Sequence, residues 1–210
     1  VYYGLSILNK KEIHQPMRIV SGQFRGKTLA SPSGLTTRPT SDRARQAVFN
    51  ILEHASWRPF ILPENAHVLD IFAGTGALGL EALSRGAADA VFIEQSAEAL
   101  KTLRENIDSL KIGKQAQVLR MDAVHPAARP AQMAPRNLVF LDPPYGKNLG
   151  YAALRAFVAA NWLAPHAVCV MEMAKKQPEP LPDGFALADT RHYGVAEVRF
   201  LIRGAATAGT

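Results

Sequence analysis

Cysteine is all but missing. Cys169 is the single one in 210 residues, which excludes an internal disulfide and suits a reducing compartment. The six histidines are scattered, no Cys/His cluster has zinc-ligand spacing, and no metal is expected. Long apolar runs are lacking too: none approaches the roughly 18 residues of a membrane span. The opening Val1 to Leu8 lacks the basic lead and small-residue cleavage site of a secretory signal. The expectation is a soluble, cytoplasmic protein, monomeric and without a membrane partner.

Acidic residues are scarce in one region. Residues 1–60 carry nine Lys and Arg against three Asp and Glu, whereas residues 61–210 carry fifteen of each, so the whole formal charge of +6 lies at the N-terminal end. A neutral body with a basic appendage suits a partner rich in phosphate, because phosphate contacts supply most non-specific nucleic-acid affinity. A basic face that only solvates the protein would show the same split. With 48% hydrophobic and 20% charged residues the chain is globular in composition rather than disordered.

Residues 1–16 show no sustained period and read as leader sequence; Met17 opens the patterned chain. Arg18 to Leu29 has β-branched residues with Gly22 and Gly26 as breakers, the pattern of a short strand pair or extended arm. Gly22 to Thr28 reads Gly-Gln-Phe-Arg-Gly-Lys-Thr, with three residues between the glycines where a phosphate-binding P-loop needs four, and no helix follows directly. Pro39, Thr40 and Ser41 then precede a helix with Ala44, Ala47, Val48, Ile51, Leu52 and Ala55 at three-four spacing and Arg43, Gln46 and Asn50 opposite. The segment 17–60 is thus a basic arm plus a helix.

From His67 onward short apolar runs alternate with helical patterns. Runs at His67 to Phe72, Ala90 to Ile93, Gln117 to Met121, Leu138 to Leu141 and Ala167 to Met173 are interleaved with helices ending at Arg85, spanning Ser96 to Leu110 and closed by Gly113, and spanning Tyr151 to Trp162. Phe185 to Arg191 and Val195 to Ile202 flank Tyr193-Gly194 without room for a helix. The pattern predicts an α/β fold, a doubly wound, mostly parallel seven-stranded sheet that is Rossmann-like, with a terminal antiparallel hairpin. Residues 61–204 form this body, and 205–210 read as a flexible tail.

Asp70-Ile71-Phe72-Ala73-Gly74-Thr75-Gly76-Ala77-Leu78-Gly79 ends the first strand and opens a helix, and glycines at 74, 76 and 79 match a dinucleotide fingerprint. Glu94 closes the second strand, where a carboxylate can accept ribose hydroxyls. An adenosine-containing cofactor is implied, either a dinucleotide or S-adenosylmethionine. A pyrophosphate wants a helix N-terminus free of anions, so Asp70 just ahead of the glycines better suits a cationic ammonium and sulfonium. Asp122 after the third run is placed to accept from an adenine amino group, or serves only as a turn residue.

The fourth run leads into Asp142-Pro143-Pro144-Tyr145. Consecutive prolines cannot continue a parallel strand, so the Pro143 carbonyl loses its ladder partner and stands beside the Asp142 carboxylate. Both acceptors can hold one planar NH2 group and draw its lone pair toward an electrophilic methyl, with Tyr145 stacking on the attached base. A turn that merely ends a strand accounts for the prolines but not for the flanking Asp and Tyr. In a doubly wound sheet the first and fourth strands meet at the switch point, so the glycine loop and Asp142 should share one crevice.

Asp-Pro-Pro-Tyr is similar to the [Asn/Asp/Ser]-Pro-Pro-[Tyr/Phe] motif of S-adenosylmethionine-dependent methyltransferases acting on exocyclic amines. The wider set, Met17 to Gly22 with Arg25-Gly26-Lys27, Arg38-Pro39-Thr40-Ser41-Asp42-Arg43, Leu69 to Gly86 and Leu141 to Tyr145, resembles the bacterial 16S ribosomal RNA guanine-N2 methyltransferase family, RsmD type. The resemblance runs from Met17 to about Arg203; Thr75 stands where that family frequently has Ser. It implies a class I methyltransferase fold, methylation of a guanine 2-amino group in small-subunit ribosomal RNA, and 16S ribosomal RNA or the small ribosomal subunit as partner. Site residues expected on this basis are Asp142, Pro143, Pro144 and Tyr145 for catalysis and Asp70, Phe72, Ala73, Gly74, Thr75, Gly76, Glu94 and Asp122 for S-adenosylmethionine. Arg18, Arg25, Lys27, Arg38 and Arg43 are expected to face RNA. A DNA or other RNA amino-methyltransferase, an NAD(P)-dependent oxidoreductase and a non-catalytic RNA-binding module are the rival readings.

Overall fold

A computed structural model describes residues 17–31, 42–144, 149–174, 180–194 and 196–204. Arg38, Tyr145 and the Pro39 to Ser41 lead into the first helix lie outside them. The elements are α1 (Asp42–His54), β1 (His67–Ile71), α2 (Ala77–Ser84), β2 (Asp89–Glu94), α3 (Ala97–Leu110), β3 (Ala116–Arg120), β4 (Arg136–Leu141), α4 (Leu149–Ala159), β5 (Leu163–Ala174), β6 (Phe185–Tyr193) and β7 (Ala196–Arg203).

Seven strands form one sheet in the order β3-β2-β1-β4-β5-β7-β6. The first five run parallel; β7 lies antiparallel between β5 and β6, so the expected terminal hairpin inserts its second strand against the sheet and leaves β6 at the edge. The order reverses at β1 and β4, which pair directly: Asp70 lies opposite Phe140 and Ile71 opposite Leu141. A crevice for a ligand opens at such a reversal.

Strand side chains alternate between two apolar layers. Val68, Phe92, Phe140, Val170 and Phe200 pack with α1, α2 and α3, while Leu69, Ile71, Val139, Cys169 and Leu201 pack with α4 and Trp162. The continuous apolar runs of β1, β2 and β4 follow from this two-sided burial.

Residues 17–31 fold as the expected strand pair, with Arg18 bridged to Thr28 and the Ile19 and Gly26 N–H groups donating to the Lys27 and Ile19 carbonyls. Ile19 and Leu29 are buried in the layer that holds α1 and α2, so the arm is part of that core.

Several boundaries differ from the sequence reading; β4 starts at Arg136 rather than Leu138, and β6 runs to Tyr193 rather than ending at Arg191. α3 is ended by Lys111 in the left-handed region (φ 58) rather than by Gly113. α4 begins two residues before Tyr151 and stops at Ala159, because Asn161 turns left-handed (φ 60) and the Trp162 N–H returns to the Phe157 carbonyl. β5 starts at Leu163 rather than Ala167, with an irregularity in its pairing to β4 between Arg136 and Leu138.

Candidate active site

The glycine loop begins one residue after β1. Phe72 takes a left-handed conformation (φ 63), uncommon for an aromatic residue, and the Ala73 N–H reaches across to the Ile93 carbonyl at 3.0 Å. Gly74 and Gly76 are also left-handed (φ 55 and 84), which glycine adopts without steric cost. A Cβ on Gly79 would lie 2.4 Å from the Phe92 ring, so the third glycine lets α2 close on the sheet. Phe72, Gly74 and Thr75 are half-buried, and Ala73 and Gly76 are buried.

Two carboxylates occupy the N–H groups that an anionic ligand would seek. Glu94 Oε2 accepts the Gly74 N–H at 2.9 Å, and its Oε1 accepts those of Gln95 and Ser96 at 2.8 and 2.7 Å. Buried Asp70 accepts the Gly79 N–H at 2.9 Å, supplying the cap that Gly76 has no side chain to give. A pyrophosphate placed here would find these donors already taken, which counts against a dinucleotide.

Asp142 follows β4, with its N–H still directed at the Ile71 carbonyl at 3.5 Å. Among the described residues no donor is hydrogen-bonded to its carboxylate or to the Pro143 carbonyl. Strand register aligns the acids. Phe92, Asp70, Phe140 and Val170 lie side by side across β2, β1, β4 and β5; two residues on, Glu94, Asp142 and Glu172 reach the same edge on the same face. Desolvation, then the charges of Asp142 and Glu94 against the Gly79 N–H, pushes the Asp70 carboxyl up to about 8. Desolvation and then Glu172 push Asp142 up to about 7. Crowding these carboxyls at one sheet edge raises the cost of their charge and so favours a cationic ligand there.

The residues present fit S-adenosylmethionine in their chemistry: glycines open the backbone to a ligand, and a row of acids suits a sulfonium and an ammonium. Asp70 itself is 2% exposed and spends one oxygen on Gly79, so it is not open to direct contact with a ligand. Asp122 is exposed and forms a turn, its two oxygens bonded to the Val124 N–H at 3.0 Å and the His125 ring at 3.0 Å. The His125 hydrogen bond chiefly holds its pKa below the usual value.

Several residues escaped the sequence reading. Gly150 lets α4 approach β5, since a Cβ there would lie 2.9 Å from Met171 Sδ; with Pro143 Cγ, at 3.5 Å, it would be in ordinary contact. Glu172 is a lone acid in an apolar strand, and that anomaly was visible. Glu81 is fully buried and accepts the Val20 and Ser21 N–H groups at 2.7 and 2.9 Å while pairing with Arg85 at 2.8 Å and Arg45 at 3.4 Å. Arg85 also reaches Glu53 and lies 4.8 Å over the Phe49 ring, which fixes α1 on α2. Of the cations expected to face RNA, Arg25, Lys27 and Arg43 are exposed, as is Arg18, which pairs with Asp42 at 3.1 Å.

The family model described as Conserved hypothetical protein 95 matches residues 17–202. Ribosomal RNA small subunit methyltransferase D of Haemophilus influenzae is 33% identical over 184 residues, 87% of this chain and 92% of that one. Its namesake from Escherichia coli strain K12 is 40% identical over 156 residues, 74% of each chain. A solved structure, the putative methyltransferase yhhF from Escherichia coli, superposes with a TM-score of 0.76 at 35% identity, covering 91% of this chain and 99% of that one. With glycine loop, acid row and Asp-Pro-Pro turn at one sheet edge, the chain belongs to the Conserved hypothetical protein 95 family, alongside the ribosomal RNA small subunit methyltransferases D.

Proposed function

We propose that the protein transfers a methyl group from S-adenosylmethionine to the exocyclic 2-amino group of a guanine in small-subunit ribosomal RNA. The observation that carries the reading is the Asp142 carboxylate and Pro143 carbonyl, which no donor among the described residues engages, beside a glycine loop whose N–H groups are held by acids. The donor supplies an electrophilic methyl on a sulfonium that departs as a neutral thioether. Asp142 and the Pro143 carbonyl accept the two N–H bonds of the guanine amine and direct its lone pair at that carbon. As the new N–C bond forms and the C–S bond breaks, the nitrogen loses a proton, which Asp142 with its raised pKa is suited to take. Positioning and preorganised charge supply most of the acceleration.

Pro144 fixes the turn, and Tyr145 stacks on the target base, a contact worth roughly 1 to 3 kcal/mol in single-strand binders. The guanine enters unpaired or flipped, because a stacked pair cannot reach a strand end. Glu94 takes a ribose hydroxyl on the lone pair of Oε2 that Gly74 leaves open, and the backbone of Phe72 to Gly76 lines the cofactor. Asp122 accepts from the adenine amino group beside its turn bonds. Arg18, Arg25, Lys27, Arg38 and Arg43 meet the phosphates.

Transfer of tritiated methyl from the cofactor to small-subunit ribosomal RNA lacking the modification, followed by nucleoside mapping, tests the reading. Label in N2-methylguanosine at one nucleotide is the expected result; label only in DNA, or in no nucleic acid, would refute it.

A further inference from the structure

One carboxamide spans the basic arm and the glycine loop. Asn106 in α3 is 2% exposed. Its Oδ1 accepts the Ala30 N–H at 2.7 Å, and its Nδ2 donates to the Ala30 carbonyl at 3.2 Å and the Thr75 carbonyl at 3.0 Å. Ala30 is close to the end of the arm's second strand, and Thr75 lies between the two left-handed glycines of the loop. The arm meets the loop a second time where Thr75 Oγ1 lies 3.7 Å from Met17 Sδ, and Met17 is tied back to the second strand by the Leu29 N–H at 2.8 Å.

Burial alone does not call for an amide at this position. Its neighbours on the buried stripe of α3 are Thr102, Leu103, Ile107 and Leu110, mostly apolar. Ala30 is exposed, so water could satisfy its polar groups without Asn106. What the side chain adds is a rigid link from the arm to the Thr75 carbonyl, one residue from the Gly74 N–H held by Glu94.

Resting on the function proposed above, we infer that Asn106 is a positioning residue that couples seating of RNA on the arm to the cofactor-binding posture of the glycine loop. RNA that pins the arm fixes Thr75 and, through Gly74, Glu94. By linkage a bound cofactor must tighten RNA by the same factor.

Two experiments test this. Calorimetry should find that a small-subunit ribosomal RNA fragment tightens S-adenosylhomocysteine binding to the wild-type chain by about fivefold or more, a usual size for coupled sites. In Asn106→Asp, which keeps the acceptor and loses both donated bonds, and in Asn106→Leu, the factor should fall to near one. A wild-type factor of one, or the same factor in a folded variant, overturns the coupling. Hydrogen exchange on the wild-type protein needs neither variant nor RNA: S-adenosylhomocysteine should protect the Ala30 amide more than the Gly26 amide, which is bonded within the arm. Equal protection overturns the coupling as well. Failure to methylate ribosomal RNA would instead sink the functional reading, and the exchange result would still stand on its own.

Discussion

Asp142 carries the sharpest prediction at the scale of single residues. Ala in its place removes the side-chain acceptor and with it one side of the amine's grip. Asp142→Ala is therefore expected to lower kcat by about 100- to 10,000-fold, the range for a positioned proton acceptor. S-adenosylhomocysteine has no sulfonium to feel the missing charge, so its dissociation constant should stay within about twofold. Calorimetry beside single-turnover rates checks both halves, and loss of binding in step with rate would make Asp142 a cofactor residue only. Gly79 tests packing behind the loop. A methyl there meets the Phe92 ring at 2.4 Å and Asp70 Oδ2 at 3.1 Å, so Gly79→Ala should cost about 1 to 3 kcal/mol in denaturant unfolding, as overpacked cores do.

Among elements, the docking of arm and α1 on α2 is the feature most open to test. A buried acid, Glu81, holds two arm N–H groups and two arginines, and Gly22 presses against the end of α2. A Cβ on Gly22 would lie 1.8 Å from the Ser84 carbonyl oxygen, at a φ of +81 that side chains rarely adopt. That oxygen belongs to the backbone and cannot swing aside, so Gly22→Ala should lift the arm. Limited proteolysis should then cut residues 17–31 sooner than in wild type, with the sheet core still cooperative; unchanged cleavage would mean that the arm is held elsewhere. Glu81→Gln leaves buried Arg45 and Arg85 short of countercharge and should cost about 3 to 5 kcal/mol, the usual loss on breaking a buried ion pair.

For the whole molecule the decisive quantities are charge and its placement. Asp70 and Asp142 titrate in the folded chain near 8 and 7 against an ordinary 3.8. Between those limits the folded state holds protons that the unfolded chain has released. The stability they bring is complete below about pH 4 and lost as pH rises through about 7 to 8. Thermal scans of the cofactor-free protein should show a falling Tm over that window, flattened in Asp70→Asn. A bound sulfonium favours the ionised acids, so S-adenosylmethionine should bind more tightly as pH rises and release protons on binding. A binding constant flat with pH would remove the acid row from cofactor recognition. At the other end of the charge split, Arg25→Glu with Lys27→Glu should weaken RNA binding and flatten its salt dependence. An unchanged slope would return the arm to mere solvation.

Periodicity and punctuation carried much of this in one dimension. Apolar runs of strand length between helical stripes sufficed for a doubly wound sheet, because both faces of its parallel strands are buried. Gly74, Gly76 and the Asp142-Pro143-Pro144 turn were legible because each imposes a backbone rule on its own neighbours, and the basic bias of residues 1–60 is a matter of counting. The rest depends on residues far apart in the chain. That Glu94 closes on Gly74, that Asp70 caps Gly79 from inside the core, and that Glu172 raises Asp142 all follow from strand order and register. Glu81 and Asn106 look like ordinary helix residues until the arm, 60 and 76 positions away, is folded onto them. Local rules act through the backbone of adjacent residues and so are written in order along the chain; hydrogen bonds and charge interactions act through space, and only the folded chain decides which groups come within their reach.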